Sequence, residues 1–199
     1  MTTYERDIRS RSKWHYLRGL IVRWRQNIPY ALARFIARRR GAKVGEGVVM
    51  SISLARKVNA NVTIGNHVSL HRCEFSSFNR QITIGNNVII GNDVRIVVGS
   101  HNIDSPDWES IYRHPELIIE DYVWLCPHSV VLPSVSRIGR GAVLGSNAVV
   151  HKDVDPMSVM SGNPAQVIRK RKCVHTDLVV EGLLGGDYHA YKKARKAKE

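Results

Sequence analysis

The sequence lacks three features that would each point to a different class of protein. It has no run of about 18 apolar residues, so no segment is expected to span a membrane. The N-terminus lacks the basic, apolar and small-residue order of a signal peptide, so export is not expected. Cysteine occurs only at positions 73, 126 and 173, and an odd count without close pairs indicates reduced thiols in a cytosolic protein.

Acidic residues are scarce at both ends of the chain. Residues 1–43 hold 12 Lys and Arg against 2 Asp and Glu, residues 44–165 hold 9 against 11, and residues 166–199 hold 9 against 4. The net charge of +13 therefore resides in two terminal segments around a nearly neutral centre. A nucleic-acid-binding domain would be expected to spread positive charge over its surface, so we predict no nucleic-acid partner.

The centre of the chain contains a six-residue repeat, as in ITIGNNVIIGNDVRI (residues 82–96). A period of six matches neither an α-helix nor a long alternating strand. Each phrase predicts a short strand with one inward aliphatic residue, followed by a turn of Gly or Asn, which tolerate positive φ. Three phrases would close one triangular coil, and stacked coils would bury a common core. The phrases begin at Val44, Ile64, Leu70, Ile84, Ile90, Ile119, Leu125, Val131, Ile138, Leu144 and Val150.

This array resembles the left-handed parallel β-helix of the hexapeptide-repeat acyltransferases over about residues 44–170. IIEDYVWLCPHSVVLPSV (residues 118–135) is similar to the family's IGDNVWIGxxxxILPGV. VLGSNAVVHKDVDPMSVMSGNPAQVIRKRK (residues 143–172) is similar to VIGAGSVVTKDVPPNTVVxGNPARVIR. The resemblance implies an all-β fold, acetyl-CoA as co-substrate, and a homotrimer with active sites between subunits. It is strongest to the sugar O-acetyltransferases of the colanic acid, maltose and galactoside type.

The two ends flank the repeat as separate parts. In residues 1–43, apolar residues from Trp14 to Ile36 follow helical spacing, which should be interrupted near Pro29, with mainly Arg on the other face. Two compatible interpretations stay open: helices that cap the first coil, or helices that also contact anionic lipid through residues 11–40 at the inner face of the membrane. Residues 171–199 predict a basic, solvated tail with a short helix from Asp187.

The repeat is interrupted after Ile96. The next coil begins only at Ile119, and the surplus at about residues 99–117 has the Ser, Pro and Asp content of a loop. His101 stands at its start, and an imidazole there suits general-base work on a hydroxyl or an amine. In the resembled family the base lies in a T/S-H-x-x-D phrase, which Ser100–Asp104 matches. The resemblance implies that His101 is the catalytic base, and Asp104 either orients its ring or ends the turn.

The resemblance also implies residues that bind the donor. Trp124 would lie near the acyl or acceptor end and Ser146 beside the pantetheine arm. Four further residues would approach the nucleotide end or the 3′-phosphate of CoA, where cations are needed: His151, Lys152, Arg169 and Lys170. For Lys152 and Arg169 the alternative is an ordinary surface cation, and for Trp124 it is packing within the coil.

No metal site is expected. His67 and His71 have an HxxxH spacing, but adjacent phrases point them along different faces. We therefore predict an acetyl-CoA-dependent O-acetyltransferase that acts on a sugar hydroxyl without a metal, in bacterial surface polysaccharide biosynthesis. The alternatives are a xenobiotic or antibiotic O-acetyltransferase, or a non-catalytic β-helix scaffold that binds a partner.

Overall fold

The computed structural model describes residues 1–70, 72–76, 78–111 and 115–196. The central part winds into a three-sided prism of about six coils. Parallel strands stack on each side. Face A consists of β1 Lys43–Val44, β3 Val62–Ile64, β6 Gln81–Ile84, β11 Glu116–Ile119 and β14 Arg137–Ile138. Face B consists of β2 Val49–Met50, β4 Ser69–Leu70, β7 Ile89–Ile90, β12 Trp124–Leu125, β15 Val143–Leu144 and β17 Ser158–Gly162.

Face C is the shortest sheet, with β5 Glu74–Phe75, β8 Arg95–Ile96, β13 Val130–Val131 and β16 Val149–Val150. After the last coil, β18 Ala165–Lys170 turns back antiparallel to β17. A two-stranded hairpin of β9 Ser100–His101 and β10 Ser110–Ile111 interrupts the coil between β8 and β11. The helices are α1 Thr3–Ser10, α2 Lys13–Arg39, α3 Ile52–Ala55, a 3₁₀ helix Val180–Leu184 and α4 Tyr188–Lys196.

The six-residue pattern reports the core correctly. The aliphatic residue that begins each phrase from Ile64 to Val150 points inward and is at most 3% exposed, whereas Val44, in the first coil, is half-buried. The second position of the pattern, Val or Ala four residues later, is buried as well at Val68, Val88 and Val123. Stacked aliphatic ladders thus form one continuous core, which no single coil could bury alone.

Polar side chains tie the coils together at the corner where face A passes to face B, the AB corner. The N–H of Glu46 donates to Oδ1 of Asn66 at 2.9 Å. The N–H of Asn66 donates to Oδ1 of Asn86 at 2.8 Å, and that of Asn86 to Oδ1 of Asp121 at 2.6 Å. In each coil a backbone N–H at this corner therefore donates to a side-chain oxygen of the next coil. This satisfies a donor that the short strands do not pair.

Of the N-terminal helices, α2 packs against the first coil and α1 packs on α4. The expected interruption near Pro29 is wrong, because α2 runs unbroken from Lys13 to Arg39. Proline removes one helical hydrogen bond, and packing on both sides of it holds the helix together: Gly19 lies against Tyr191, and Ala33 and Ala37 are fully buried. None of the helices in the described part of the chain is both long and apolar enough to cross a membrane.

The prediction of a solvated C-terminal tail is wrong for residues 178–195, which pack on the rest of the chain, whereas residues 172–177 are mostly exposed. Arg171 donates to the carbonyls of Tyr122 and Gly141, so the chain descends along the AB corner from the last coils. It ends in α4, whose Tyr191 is fully buried and stacks on Tyr16. The short helix expected from Asp187 is present as α4. The division of the chain at residues 43 and 170 remains a prediction, although β1 begins and β18 ends at those positions.

The ion pair between His67 and Glu181 ties this descending segment to the second coil. Nδ1 of His67 lies 3.0 Å from Oε1 of Glu181, whose side chain is 6% exposed. The hydrogen bond to Glu181 is the main cause that raises the pKa of His67 above its ordinary value of 6.5. A raised folded-state pKa stabilises the fold fully below pH 6.5, and this stabilisation is lost as the pH rises through the raised value.

We therefore expect residues 176–186 to be held more firmly at pH 6 than at pH 8.5. Hydrogen exchange, corrected for its intrinsic pH dependence, should show higher protection of this segment at the lower pH. His67→Gln should remove the difference. Equal protection at both pH values in the unmodified protein would contradict the role of this pair.

Candidate active site

The interruption after face C places His101 outside the prism. β8 ends at Ile96, and Val98 is the last buried residue before the hairpin, with its N–H donating to Oγ of Ser76 at 3.0 Å. His101 then pairs with Ser110 across the hairpin, and its side chain is exposed. A rigid prism thus presents a short, hydrogen-bonded hairpin with an imidazole on it, as enzymes often place reactive groups.

A backbone carbonyl holds the ring of His101. Nδ1 lies 2.7 Å from the carbonyl oxygen of Trp108. Because a carbonyl can only accept a hydrogen bond, Nδ1 carries the proton of the neutral ring. Nε2 is then left with a free lone pair, which is the state a general base needs. The hairpin therefore selects the tautomer as well as the position of the imidazole.

Asp104 occupies the turn of the same hairpin. Its N–H donates to Oδ1 of Asn102 at 3.1 Å, which is the geometry of an Asx turn. Among the hydrogen bonds of the described residues, none joins the Asp104 carboxylate to His101. Of the two roles open to Asp104, the geometry favours ending the turn, and the carbonyl of Trp108 orients the ring.

The conformation of Trp108 makes this contact available. Its φ is +50°, in the left-handed region that a residue with a side chain adopts at a cost.

We expect Trp108→Gly to keep kcat within about threefold, because glycine adopts this φ freely. Trp108→Val should lower kcat roughly tenfold, since β-branched residues disfavour it. Steady-state rates of both variants, with melting curves, check this, and equal losses would assign the effect to the indole.

The predicted donor-binding residues lie on more than one side of the prism. Trp124 projects from face B and is 38% exposed. Arg169 lies on the same sheet, because Trp124 pairs with Val143, Val143 with Val159, and Val159 with Arg169. Three strand spacings separate the two, or about 14 Å. Face B therefore offers an exposed indole and a guanidinium along one line.

The remaining predicted residues lie at two corners. Ser146 is exposed at the corner between faces B and C, beside Asn147, whose φ is +59°. His151 and Lys152 follow β16, at the corner between faces C and A from which the His101 hairpin departs. One chain therefore brings His151 and Lys152 to the corner of His101, and it keeps Trp124 and Arg169 on another face.

The two cations at the end of β18, Arg169 and Lys170, differ in the number and length of their hydrogen bonds. Nζ of Lys170 donates to Oγ of the buried Ser158 at 2.9 Å and to the carbonyl of Pro156 at 3.3 Å. Arg169 makes one long contact, 3.4 Å, to the carbonyl of Lys170. Arg169 is thus the better candidate for a phosphate, and Lys170 stabilises the β17–β18 hairpin.

Potential metal ligands and two of the cysteines were also located in the structure. The described part of the chain holds no cluster of three or more His, Cys, Asp or Glu that could bind a metal ion. Of the pair weighed as a metal site, His67 contacts Glu181, and His71 lies outside the described residues. Cys73 and Cys126 are buried, and burial raises the pKa of the Cys73 thiol to about 12. Neither thiol is suited to act as a nucleophile.

Two residues that matter here were not singled out from the sequence. Trp108 acts through its main-chain oxygen, which no side-chain pattern reveals. Arg80 is almost fully buried, 3% exposed, and donates to the carbonyls of Glu116, Pro133 and Val135. The sequence feature that could have indicated Arg80 is its position between FN and QITIG, where the six-residue pattern is interrupted.

Comparison with known proteins agrees with this architecture. The putative colanic acid biosynthesis acetyltransferase WcaF of Escherichia coli K12 is 30% identical over 158 residues, which cover 79% of this chain and 85% of WcaF. A putative acetyltransferase of Schizosaccharomyces pombe is 33% identical over 144 residues, 68% of this chain and 69% of that protein. A hexapeptide-repeat acetyltransferase of Vibrio cholerae, solved with acetyl-CoA, matches 84% of this chain and 89% of its own at 24% identity and a TM-score of 0.55. No family model matches the sequence.

The parallel β-helix of six-residue repeats places this chain in a class of solenoid folds to which solved acetyltransferases belong. The chain belongs to the hexapeptide-repeat acetyltransferases, and its prism is their left-handed β-helix. It is accordingly an acetyltransferase.

Proposed function

We propose that this acetyltransferase transfers the acetyl group of acetyl-CoA to a hydroxyl of a sugar, with His101 as the general base. The observation that carries the proposal is the 2.7 Å contact between Nδ1 of His101 and the Trp108 carbonyl, which leaves Nε2 unprotonated on an exposed hairpin. The relationship to a protein named for colanic acid biosynthesis supports a sugar as the acceptor.

The chemistry needs one proton acceptor and close alignment of the two substrates. Nε2 of His101 takes the hydroxyl proton as the oxygen attacks the thioester carbonyl carbon. The tetrahedral intermediate collapses, the C–S bond breaks, and the imidazolium returns its proton to the departing thiolate of CoA. A positioned base contributes about 10²–10⁴-fold, so orientation of both substrates supplies the larger share of the rate.

The donor would bind along face B. Trp124 offers an apolar surface to the acyl end, and Arg169 is the free cation for the 3′-phosphate. Because these residues lie on a different face from His101, His151 and Lys152, a complete site is best formed by two neighbouring copies. A homotrimer, with His101 of one chain facing face B of the next, meets that requirement and places Ser146 at the seam.

The setting we propose is the cytoplasm, where acetyl-CoA and activated sugars are both present. The acceptor class would be a nucleotide-linked or lipid-linked sugar used for surface polysaccharide. The xenobiotic alternative is less well supported, because the hairpin is short and its residues from Ser100 to Ser110 are mostly exposed.

Release of free CoA thiol tests the proposal directly. Acetyl-CoA is incubated with the full-length protein and a panel of nucleotide sugars and lipid-linked glycans, and thiol is measured with and without acceptor. Acceptor-dependent release, with the acetyl ester found on the sugar by mass spectrometry, is expected. Acceptor-dependent release with chloramphenicol-like alcohols but no sugar would contradict it, and release with none would favour a non-catalytic scaffold.

The donor assignment has its own test. We expect Arg169→Ala to raise the KM for acetyl-CoA roughly tenfold, with little change for 3′-dephospho-acetyl-CoA, because loss of one charge-assisted bond to a phosphate is of that order. Lys172→Ala removes a nearby exposed cation and serves as the matched control. An equal rise in KM for both donors would place Arg169 away from the 3′-phosphate.

A further inference from the structure

The side of α2 that faces away from the prism carries a continuous row of large apolar residues. They follow one another at intervals of three or four residues, which keeps them on one side of the helix. The row spans about 32 Å at 1.5 Å per residue. We call it the outer stripe; its members and their exposed fractions are Trp14 83%, Leu17 48%, Ile21 59%, Trp24 54%, Ile28 50%, Leu32 47% and Phe35 60%.

The outer stripe takes no part in attaching α2 to the rest of the chain. The opposite side does this with small and polar residues. Ala33 and Ala37 are fully buried, Tyr30 donates to the carbonyl of Leu184, and Arg23 pairs with Asp187 at 2.9 Å. Arg34 donates to the carbonyl of Val48. The helix is therefore already docked, and its most apolar side is left facing outward.

The charge beside the outer stripe has one sign. α2 contains no Asp or Glu, and Arg18 and Arg25 are exposed next to the stripe. Residues 1–43 together hold 12 basic and 2 acidic residues. Two Trp residues within an Arg-flanked apolar row have the composition of a helix that lies in the interface of an anionic membrane.

Self-association through the stripe is disfavoured by the same charges. The spacing at Trp14, Leu17, Ile21, Trp24 and Ile28 would also fit the seam of a coiled coil. In a coiled coil the positions beside the seam carry opposite charges that pair between helices. Here the exposed residues at those positions include Arg18, Arg25 and Arg39, so facing copies would repel each other.

We propose that α2 binds the surface of a bilayer containing anionic phospholipid, lying in the plane of the membrane with the outer stripe inserted among the headgroups. Insertion needs no unfolding, because the stripe is exposed in the folded chain. This assignment concerns where the enzyme works and does not depend on the identity of its acceptor.

Vesicle co-sedimentation of the full chain tests the proposal. We expect binding to phosphatidylcholine vesicles with about 30% phosphatidylglycerol to be at least tenfold tighter than to phosphatidylcholine alone, and to weaken in 0.5 M salt. The double variant Ile21→Ser, Ile28→Ser should lose at least tenfold of this binding. Leu183→Ser removes a leucine that is 53% exposed outside the stripe and is the matched control, which should bind as the unmodified chain does.

Three outcomes would overturn the proposal. Equal binding to both vesicle types would remove the anionic surface as the partner. Unchanged binding of the double variant would place the lipid contact elsewhere. A smaller oligomer for the double variant in sedimentation velocity, with no vesicle binding by either protein, would make the stripe a contact between copies. Melting temperatures within a few degrees of each other confirm that the variants are folded.

Discussion

Replacing His101 by alanine is expected to lower kcat by about 10²–10⁴-fold, the usual contribution of a positioned general base. Its side chain is exposed on the hairpin, and its hydrogen bond is made to a single carbonyl. The free energy of unfolding should therefore change by no more than about 0.5 kcal/mol. Thiol release under saturating substrates measures kcat, and calorimetric titration with CoA should show donor binding within about threefold of the unmodified protein.

A second histidine variant controls for the removal of an imidazole. His189 is exposed on α4, away from the hairpin, and His189→Ala should leave kcat unchanged. Turnover of His101→Ala within a few-fold of the unmodified enzyme would show that another group is the base. Loss of CoA binding together with turnover would instead show that the hairpin positions the donor.

Replacing Arg80 by methionine is expected to destabilise the fold by about 3 kcal/mol or more. The guanidinium is buried and donates to three carbonyls, those of Glu116, Pro133 and Val135, which join the returning strand of the interrupted coil to the coil above. Methionine fills much of the space but donates nothing. The buried carbonyl of Val135 and the partly buried carbonyls of Glu116 and Pro133 then lose their donor, at about 1–3 kcal/mol each with the partly buried ones near the lower end. Burial also lowers the pKa of Arg80, so the charge is held there at a cost.

Thermal unfolding measures this effect. For a chain of this size about 1 kcal/mol shifts the melting temperature by roughly 2–4 °C, so a fall of at least about 6 °C is expected. Arg95→Met is the matched control: Arg95 is exposed, and its pair with the exposed Glu74 is 3.7 Å long. If Arg80→Met and Arg95→Met both melt close to the unmodified protein, the carbonyls must find other donors when Arg80 is absent.

The coil architecture could be predicted because its signal is local. A repeat such as ITIGNN indicates which residues point inward and which make the turn. Ile82, Ile84 and the aliphatic residues that begin the other repeats from Ile64 to Val150 are buried accordingly. The interruption after Ile96 was visible for the same reason, since a missing phrase leaves a gap in the period. His101 and the loop that carries it follow from that gap together with the resemblance, whereas the pairing of β9 with β10 was not predicted.

The terminal segments could not be predicted to the same degree. Composition shows that α2 is apolar and basic, but the side that packs is chosen by its partners. Tyr191, Asp187 and Leu184 are about 150 residues or more away in sequence, and they engage Gly19, Arg23 and Tyr30 of α2. The solvated-tail prediction failed because these contacts join the two ends of the chain.

By itself the sequence determined the β-helix, its core positions, the place where a coil is interrupted and the histidine carried there, because each is written as a short-range spacing of residue types. Only the tertiary structure decided that a main-chain oxygen of Trp108 sets the tautomer of His101, that Lys170 is engaged while Arg169 is free, and that α2 turns its apolar side outward. Those outcomes depend on which groups meet across the fold, and such meetings arise from packing between segments that are distant in the chain.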